Sequence, residues 1–250
     1  MMALLEVDGL TKRYGGVTAV NQVTMRVEAG EVRAVIGPNG AGKTSLFHLL
    51  TGVIRPTAGE IRFDGRVLTG LSSYRVCQAG LSRTFQLTSL FPDMTARENA
   101  RLSAQARLGR PWQPCGGGRL FAEASRRGDE ALERLGLTSV ATRPAGLLSH
   151  GDQRLLEVAM ALAQQPRVLL LDEPTQGLSV EETQTAVATL AGLLADGRLT
   201  VLLVEHDMEV VFRLAQRIMV MHRGTVIADD VPDVVKADPE VQAAYLGGYD

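Results

Sequence analysis

Residues 33–50 read RAVIGPNGAGKTSLFHLL. The run that ends at Ile36 alternates small and apolar residues, which predicts a buried strand, and the residues after Thr44 are helix formers. Between them, the segment from Gly37 to Thr44 has the spacing G-x-x-x-x-G-K-T. Because this pattern stands between a predicted strand and a predicted helix, it indicates a phosphate-binding loop rather than an ordinary glycine-rich turn.

The chemistry of a phosphate site explains these residue types. Glycine lets the backbone approach an oxyanion without an intervening Cβ. The backbone amides and the positive end of the following helix then attract the phosphate. Lys43 supplies a point charge for the outer phosphates, and the Thr44 hydroxyl is placed to ligate Mg²⁺. The candidate binding residues of this stretch are Gly37, Pro38, Asn39, Gly40, Ala41, Gly42, Lys43, Thr44 and Ser45.

Length and composition limit the possible classes of protein. The 250 residues, 45% of them hydrophobic, suit one large domain or one domain with an insert. A net charge of -2 gives no overall field for nucleic acid. Cys77 and Cys115 lack metal-ligand spacing and suggest a reducing compartment. Early acidic residues argue against a secretory leader, and no apolar run reaches the roughly 18 residues of a membrane span, so a role at a membrane would require partner subunits.

The N-terminal part alternates apolar and polar residues. Residues 4–10 and 22–28 predict antiparallel strands, and a further hairpin is predicted around Asp64-Gly65. Tyr14 lies between the first two strands in the segment TKRYGG, which predicts a glycine-flanked loop. Its ring could stack on a nucleotide base or could cover a sheet edge, and the spacing alone leaves both interpretations open.

The middle of the chain changes from strand to helix. Residues 81–86 predict a strand ending at Gln86, and Thr95 with Glu98 has the spacing of a helix capping box. Residues 119–136 predict an amphipathic helix after a Pro/Gly-rich surface segment at 110–118. The apolar stripe of this helix comprises Leu120, Phe121, Ala124, Ala131, Leu132 and Leu135.

Two apolar strands end in polar side chains. Residues 168–172 end in Asp172 and are followed by Glu173, which suits a parallel strand with its ligands at the carboxyl end. One carboxylate can hold Mg²⁺ through water, and the other can orient or deprotonate an attacking water. Residues 199–207 predict a second such strand ending near His206, which either is structural or donates to a γ-phosphate oxygen.

A third polar group precedes a strong helical pattern in LSHGDQRLLEVAMALAQQP, residues 148–166. Ser149 and Gly151 stand where that helix begins. This arrangement can bind an anion, although most such residues only cap a helix.

Together, these stretches resemble the ATP-binding subunit of ABC transporters over essentially the whole chain. GPNGAGKT resembles the Walker A loop, VLLLDE the Walker B strand with the catalytic glutamate, and LSHGDQ the signature usually written LSGGQ. Gln86 stands at the place of the Q-loop, His206 at that of the switch histidine, and Tyr14 at that of the aromatic residue that stacks on adenine. The chain departs from the family pattern at three positions, with His150, Asp152 and Ser179.

The resemblance implies an α/β fold with a RecA-like P-loop NTPase core, an N-terminal antiparallel β subdomain and a helical insert. Residues 1–86 and 163–250 would form the core, and 87–162 the helical signature subdomain. ATP and Mg²⁺ would be the cofactors. Catalytic roles would fall to Glu173, His206, Gln86 and Lys43, and the metal shell to Thr44, Gln86 and Asp172. Ser149 and Gly151 of one copy would close on the ATP held by a second copy.

Within the family, the sequence of these stretches is most similar to that of the branched-chain amino acid importer group. The expected partners are transporter membrane subunits and a second ATPase subunit, with a periplasmic receptor reached only through the membrane subunits. The expected location is the cytoplasmic face of the bacterial inner membrane. Alternatives are a urea or amide importer, a lipopolysaccharide or lipid exporter, and a soluble ABC-type switch acting in translation or DNA repair.

Overall fold

A computed structural model describes residues 3–84, 90–109 and 117–246 of the chain. The chain divides into two units, Met1–Ala79 with Gly197–Asp250, and Gly80–Asp196. Gln86, Cys115 and most of the 110–118 segment lie outside the described residues. The predicted subdomain boundaries after residues 86 and 162 both fall inside the second unit and stay a prediction.

The strand before the glycine-rich turn lies inside a sheet of the first unit. β3, Val32–Ile36, pairs in parallel with β8, Thr200–Val204, on one side and with β9, Arg217–His222, on the other. β10, Thr225–Asp230, extends the sheet as the antiparallel partner of β9. Every residue of β3 and β8 is buried. This burial explains their continuous apolar sequence, since an inner parallel strand is covered on both faces.

The C-terminal helices pack on this sheet. α7, Met208–Leu214, α8, Pro232–Ala237, and α9, Pro239–Leu246, follow β8 and β10 in the chain. Their buried side chains form one core with β3 and β9, made of Ala34, Ile36, Val211, Ala215, Ile218, Val220, Val235 and Val241. The phosphate-loop strand is therefore fixed by the core of its own unit.

The N-terminal residues form the predicted antiparallel sheet. Its strand order is β2, Val17–Val27, then β1, Leu5–Tyr14, β4, Ala58–Phe63, and β5, Arg66–Val67. β4 and β5 form the hairpin predicted around Asp64-Gly65, where both residues have positive φ values of 51° and 73°. α1, Lys43–Leu50, and α2, Ser73–Ala79, complete this part of the unit.

Tyr14 corrects one local prediction. It is the last residue of β1 and pairs with Val17, so it does not lie in a loop. Register irregularities between Val7 and Leu10 and between Leu10 and Lys12 interrupt the alternation of apolar residues. A bulge shifts the alternation of side chains between the two faces of a strand. The alternating pattern therefore predicted only the first half of β1.

The second unit combines two parallel strands with four α-helices among its described residues. β6, Leu81–Arg83, pairs with β7, Val168–Asp172. The helices are α3, Ala96–Leu108; α4, Gly117–Arg134; α5, His150–Ala163; and α6, Val180–Leu194. The capping box of α3 is confirmed, because the Thr95 hydroxyl accepts from the Glu98 amide and the Glu98 carboxylate accepts from the Thr95 amide.

Two further predictions in this unit need correction. β6 ends at Arg83, three residues before the predicted end at Gln86. Phe121 was expected on the apolar stripe of α4 but is half-exposed, whereas Ala124, Ala131, Leu132 and Leu135 are buried. The Phe121 ring instead lies under the guanidinium of Arg101, 4.5 Å from its centroid, a contact that stabilises an aromatic ring at the surface.

Within the described ranges, no helix of the protein combines the length and the hydropathy that crossing a bilayer requires.

Candidate functional site

The glycine-rich turn has the backbone geometry that its sequence predicts. Gly37, Gly40 and Gly42 have φ values of 150°, 79° and 104°. A Cβ atom on Gly37 would lie 2.1 Å from the carbonyl oxygen of Met221, and one on Gly42 would lie 2.3 Å from that of Ala19. A side chain is therefore excluded at Gly37 and Gly42 both by conformation and by space.

Helix α1 begins directly after this turn. Its N-cap, Gly42, provides no side-chain hydrogen bond, so the first-turn amides of the helix lack that internal cap. Amides at a helix start and the positive end of the helix dipole favour an anion at this point. Thr44 and Ser45, both half-buried, lie in the first turn.

Lys43 is buried against the same turn. Its Nζ donates hydrogen bonds to the carbonyl oxygen of Gly37 at 2.6 Å and to that of Pro38 at 3.1 Å. Pro38 also accepts a hydrogen bond from the Ala41 amide at 3.1 Å. The lysine charge is thus held where the loop curves, which is the position that a bound phosphate would need.

Tyr14 offers an exposed aromatic surface at the end of β1. Its side chain is 49% exposed, and Nζ of Lys12 lies 5.0 Å from the ring centroid. The ring is therefore accessible for stacking on a flat group such as a base.

His206 follows β8 in a turn held by carboxylates. The His206 amide donates to Oε2 of the buried Glu205 at 2.9 Å. Oδ1 of Asp207 accepts from the amides of Glu209 and Val210 and so caps α7. The turn fixes the backbone from which the exposed His206 side chain projects. The glycine-rich turn, Tyr14 and His206 all belong to the first unit.

Two carboxylates end β7 in the second unit. Asp172 and Glu173 are both buried, so neither lies at a solvated strand end. Glu173 has a positive φ of 51°, which is unusual for a residue with a side chain. Oδ1 of Asp172 is buried and, among the described residues, has no hydrogen-bond partner.

Arg83 and Thr84 hold Asp172 in place, and the sequence analysis missed both residues. Nη2 of Arg83 donates to Oδ2 of Asp172 at 2.5 Å. The Asp172 amide donates to the Thr84 hydroxyl oxygen at 3.2 Å, and the Thr84 amide donates to the carbonyl oxygen of Leu170 at 2.9 Å. The available signal was a charged residue within a short predicted strand, because such a charge needs a partner wherever the strand is buried.

The predicted signature residues begin helix α5. Ser149 is its N-cap, and its hydroxyl oxygen accepts from the Asp152 amide at 3.1 Å. The amide of the buried Gly151 donates to Oε1 of Glu182 at 3.1 Å. Hydrogen bonds first from the Ser179 amide, then from the Gly151 amide, lower the pKa of the Glu182 carboxyl. The Gly151 amide therefore already binds a negatively charged oxygen in the single chain.

Ser179, one of the three positions that depart from the family pattern, has a local role of its own. It is the N-cap of α6 and forms a capping box with Glu182. The same Glu182 carboxylate thus joins the start of α6 to the start of α5. Sequence reasoning missed this link because Gly151 and Glu182 are 31 residues apart.

The oxygen donors present fit Mg²⁺. Among the described residues, no group of three or more His, Cys, Asp or Glu side chains is arranged to hold a metal. Mg²⁺ is commonly bound by one or two protein oxygens with water and substrate phosphates. In the first unit the Thr44 hydroxyl is a donor of that kind. In the second unit, Oδ1 of Asp172, buried and without a hydrogen-bond partner among the described residues, is another.

Comparison with protein families gives two matches. A family model described as ABC transporter matches residues 20–176. A second model, described as Branched-chain amino acid ATP-binding cassette transporter, matches residues 225–250.

Individual proteins resemble nearly the full chain. The high-affinity branched-chain amino acid transport ATP-binding protein BraF of Pseudomonas aeruginosa is 42% identical and covers 98% of both chains. LivG of Escherichia coli, which has the same description, is 40% identical with the same coverage.

Solved structures share the fold. A nucleotide-free ATP-binding cassette from an ABC transporter superposes with a TM-score of 0.85 at 27% identity, over 98% of this chain and 99% of that one. A dimeric cassette in a post-hydrolysis state, bound to ADP and Pi, superposes with a TM-score of 0.76 at 26% identity, over 91% and 98%. The α/β fold is therefore the one predicted, and the chain belongs to the family of ABC transporter ATP-binding cassettes.

Proposed function

We propose that the chain is the ATP-hydrolysing subunit of an ABC importer for branched-chain or related amino acids. The observation that carries the proposal is the 42% identity to BraF over 98% of both chains. The match of residues 225–250 to the branched-chain amino acid model supports the same subgroup. Family membership supports the ATPase activity, and these two observations support the class of solute.

Binding of the adenine and the phosphates of ATP is assigned to residues of the first unit. Tyr14 stacks on the adenine, and the loop from Gly37 to Ser45 surrounds the phosphates with backbone amides. Lys43 exchanges its loop carbonyl partners for phosphate oxygens. This exchange fits the geometry, because the ammonium is already held at the turn.

The metal shell is assigned to Thr44, Asp172 and Gln86. Mg²⁺ held by these residues would neutralise charge on the phosphate oxygens. Asp172 suits this role because one of its oxygens is held by Arg83 while the other is buried without a hydrogen-bond partner among the described residues. Gln86 enters on the family resemblance alone.

Hydrolysis is assigned to Glu173 with His206 and Lys43. The Glu173 carboxylate accepts a hydrogen bond from the attacking water and aligns its oxygen with the γ-phosphorus atom. His206 donates to a γ-phosphate oxygen, and Lys43 stabilises the negative charge there. The products are ADP and inorganic phosphate, and Gln86 responds to the departure of the phosphate.

A second copy of an ATPase subunit completes the site. Ser149 and Gly151 of one copy close on the γ-phosphate of the ATP bound by the other. The Gly151 amide already binds the carboxylate of Glu182, which supports its ability to bind an anionic oxygen. Cassettes of the same fold occur as dimers, including one with ADP and Pi. The other expected partners are the membrane subunits, which would place the chain at the cytoplasmic face of the membrane.

The test is solute uptake by cells that produce this chain with the membrane subunits of its transporter. We expect energy-dependent uptake of labelled leucine, and we expect Glu173→Gln to abolish it because the variant cannot complete hydrolysis. Labelled urea and the amount of lipopolysaccharide at the cell surface are measured in parallel. If Glu173→Gln abolishes urea uptake or lipopolysaccharide export and leaves leucine uptake unchanged, the chain would belong to one of the alternative transporters.

A further inference from the structure

The ion pair between Arg83 and Asp172 is the most buried one described for the second unit. The two side chains are 7% and 1% exposed, and Nη2 of Arg83 lies 2.5 Å from Oδ2 of Asp172. By contrast, the ion pair of Arg97 with Asp129 in the same unit lies at the surface with 48% exposure on each side. A buried carboxylate is stable as an anion only when a positive group or hydrogen bonds compensate its charge. Arg83 places a positive group against this buried carboxylate.

The backbone makes this contact specific. β6 and β7 are parallel, and Arg83 pairs with Leu170, two residues before Asp172. The next residue of β6, Thr84, accepts a hydrogen bond from the Asp172 amide through its hydroxyl oxygen at 3.2 Å. Two consecutive residues thus hold both the backbone and the carboxylate of Asp172.

The two carboxylate oxygens of Asp172 have different environments. Oδ2 accepts from Arg83, whereas Oδ1 is buried without a hydrogen-bond partner within the described part of the chain. The donors of a guanidinium have fixed directions, and the two oxygens of a carboxylate lie in one plane with its carbon atoms. Fixing Oδ2 therefore also fixes the direction in which Oδ1 faces.

We propose that Arg83 is a positioning residue for the metal shell. It orients the Asp172 carboxylate through Oδ2, so that Oδ1 stays available to the water shell of Mg²⁺. This inference rests on the proposed function, in which Asp172 holds the metal. Groups that orient a metal ligand in this way typically change metal affinity by about 10- to 100-fold when they are removed.

The experiment measures the binding of AMP-PNP by isothermal calorimetry, once in EDTA and once with saturating Mn²⁺ as the metal probe. In wild-type protein, Mn²⁺ should increase the affinity for AMP-PNP. In Arg83→Met, we expect the affinity in EDTA to stay within about twofold, because Lys43 and the glycine-rich turn are intact. With Mn²⁺ present, the affinity of Arg83→Met for AMP-PNP should be about tenfold or more below that of the wild type, so that most of the increase caused by Mn²⁺ is lost.

Two further variants separate positioning from general structure. Arg83→Lys keeps the positive charge but lacks the planar guanidinium, so it should restore part of the Mn²⁺ effect. If Arg83→Met does not fold, Arg83→Lys is measured in its place. Arg97→Met removes an arginine from a surface pair with an aspartate in the same unit and should leave the Mn²⁺ effect unchanged. The electron paramagnetic resonance spectrum of bound Mn²⁺ should change in Arg83→Met and stay as in wild type in Arg97→Met.

Wild-type Mn²⁺ dependence in both Arg83→Met and Arg83→Lys would overturn the inference and leave Arg83 a structural ion-pair partner. A stronger Mn²⁺ effect in Arg83→Met would also overturn it, because Arg83 would then compete with the metal. Failure of the wild-type chain to bind AMP-PNP in either condition would instead refute the proposed function. The two failures are therefore distinguishable.

Discussion

Gly42 shows how strongly single residues constrain the candidate nucleotide site. It combines a left-handed φ of 104° with a backbone carbonyl, that of Ala19, at the place where a Cβ would stand. It is also the N-cap of α1 and the residue before Lys43. A change at this one position therefore disturbs the helix start, the lysine and the turn together.

We predict that Gly42→Ala lowers both stability and nucleotide affinity. The left-handed conformation alone costs a residue with a Cβ roughly 1–2 kcal/mol, and the contact with Ala19 adds to this cost. The affinity for ATP should fall roughly tenfold or more, because displacement of one strong hydrogen bond already has that effect. Urea unfolding and ATP titration measure the two quantities.

Gly192→Ala is the matched control for this prediction. Gly192 lies in α6, has no positive φ, and a Cβ there would meet no atom within 4 Å. Alanine should therefore stabilise the helix by up to about 1 kcal/mol and leave ATP affinity unchanged. Equal effects of the two substitutions would contradict the geometry described for the turn.

At the scale of one element, α4 carries a cluster of charges that links stability to pH. Oε1 of Glu123 accepts from Arg126 and Arg127 at 2.7 Å each, and these arginines stand three and four residues further along the same helix. Hydrogen bonds first from Arg126 and then from Arg127 lower the pKa of Glu123 to about 2. Its ordinary value is 4.5, so the charged form is favoured in the folded chain.

We predict that Glu123→Gln changes the pH dependence of stability. A depressed pKa contributes stability that is fully present above pH 4.5 and is lost as the pH falls towards 2. The variant should therefore be less stable than wild type at pH 7, and the difference should shrink below pH 4.5. The effect should be small and should decrease with salt, because these side chains are exposed to solvent.

Urea unfolding between pH 3 and pH 7 tests this prediction. Glu133→Gln is the control on the same helix, since Glu133 forms no ion pair within the described ranges. A difference between wild type and Glu123→Gln that stays constant over this range would show that the arginines do not stabilise the charged carboxylate.

At the scale of the whole molecule, the proposed function requires two copies around ATP. In that proposal, one chain would supply the phosphate-binding turn before α1 and also Ser149 and Gly151, which would close on another copy's nucleotide. A variant that hydrolyses ATP slowly should therefore stay in the ATP-bound dimer, which dissociates in the wild type after hydrolysis.

We predict that Glu173→Gln forms a stable dimer in the presence of ATP and Mg²⁺. Light scattering should give twice the 26.9 kDa mass of one chain with ATP, and the single mass with ADP or without nucleotide. Hydrolysis should be very slow, because the variant lacks the carboxylate that polarises water. Glu181→Gln changes an exposed acid on α6 and should behave as wild type. Dimers that form equally well without nucleotide, or near-normal turnover, would remove Glu173 from this role.

Local sequence predicts the parts of the molecule that depend on neighbours in the chain. The strand before Gly37, the turn and the helix after Gly42 follow from 18 consecutive residues, and the capping box of α3 follows from Thr95 and Glu98. The turn, the helix and the capping box depend on hydrogen bonds between residues that are close in the sequence, and the strand is recognisable from its own apolar run.

Long-range contacts account for what the sequence did not reveal. Arg83 and Asp172 are 89 residues apart, and their pairing depends on the register of two parallel strands. The irregular register of β1 obscured the strand that contains Tyr14. Phe121 lies under a guanidinium from another helix, which no helical period on α4 could indicate.

The backbone at Glu173 has a consequence for anyone who engineers this protein. Its left-handed φ of 51° costs an ordinary residue roughly 1–2 kcal/mol, and enclosing its carboxylate adds to that cost. Glycine at this position would satisfy the backbone and remove the acid. A directed-evolution campaign scored on heat tolerance alone would accept that exchange, so turnover has to be scored in every round.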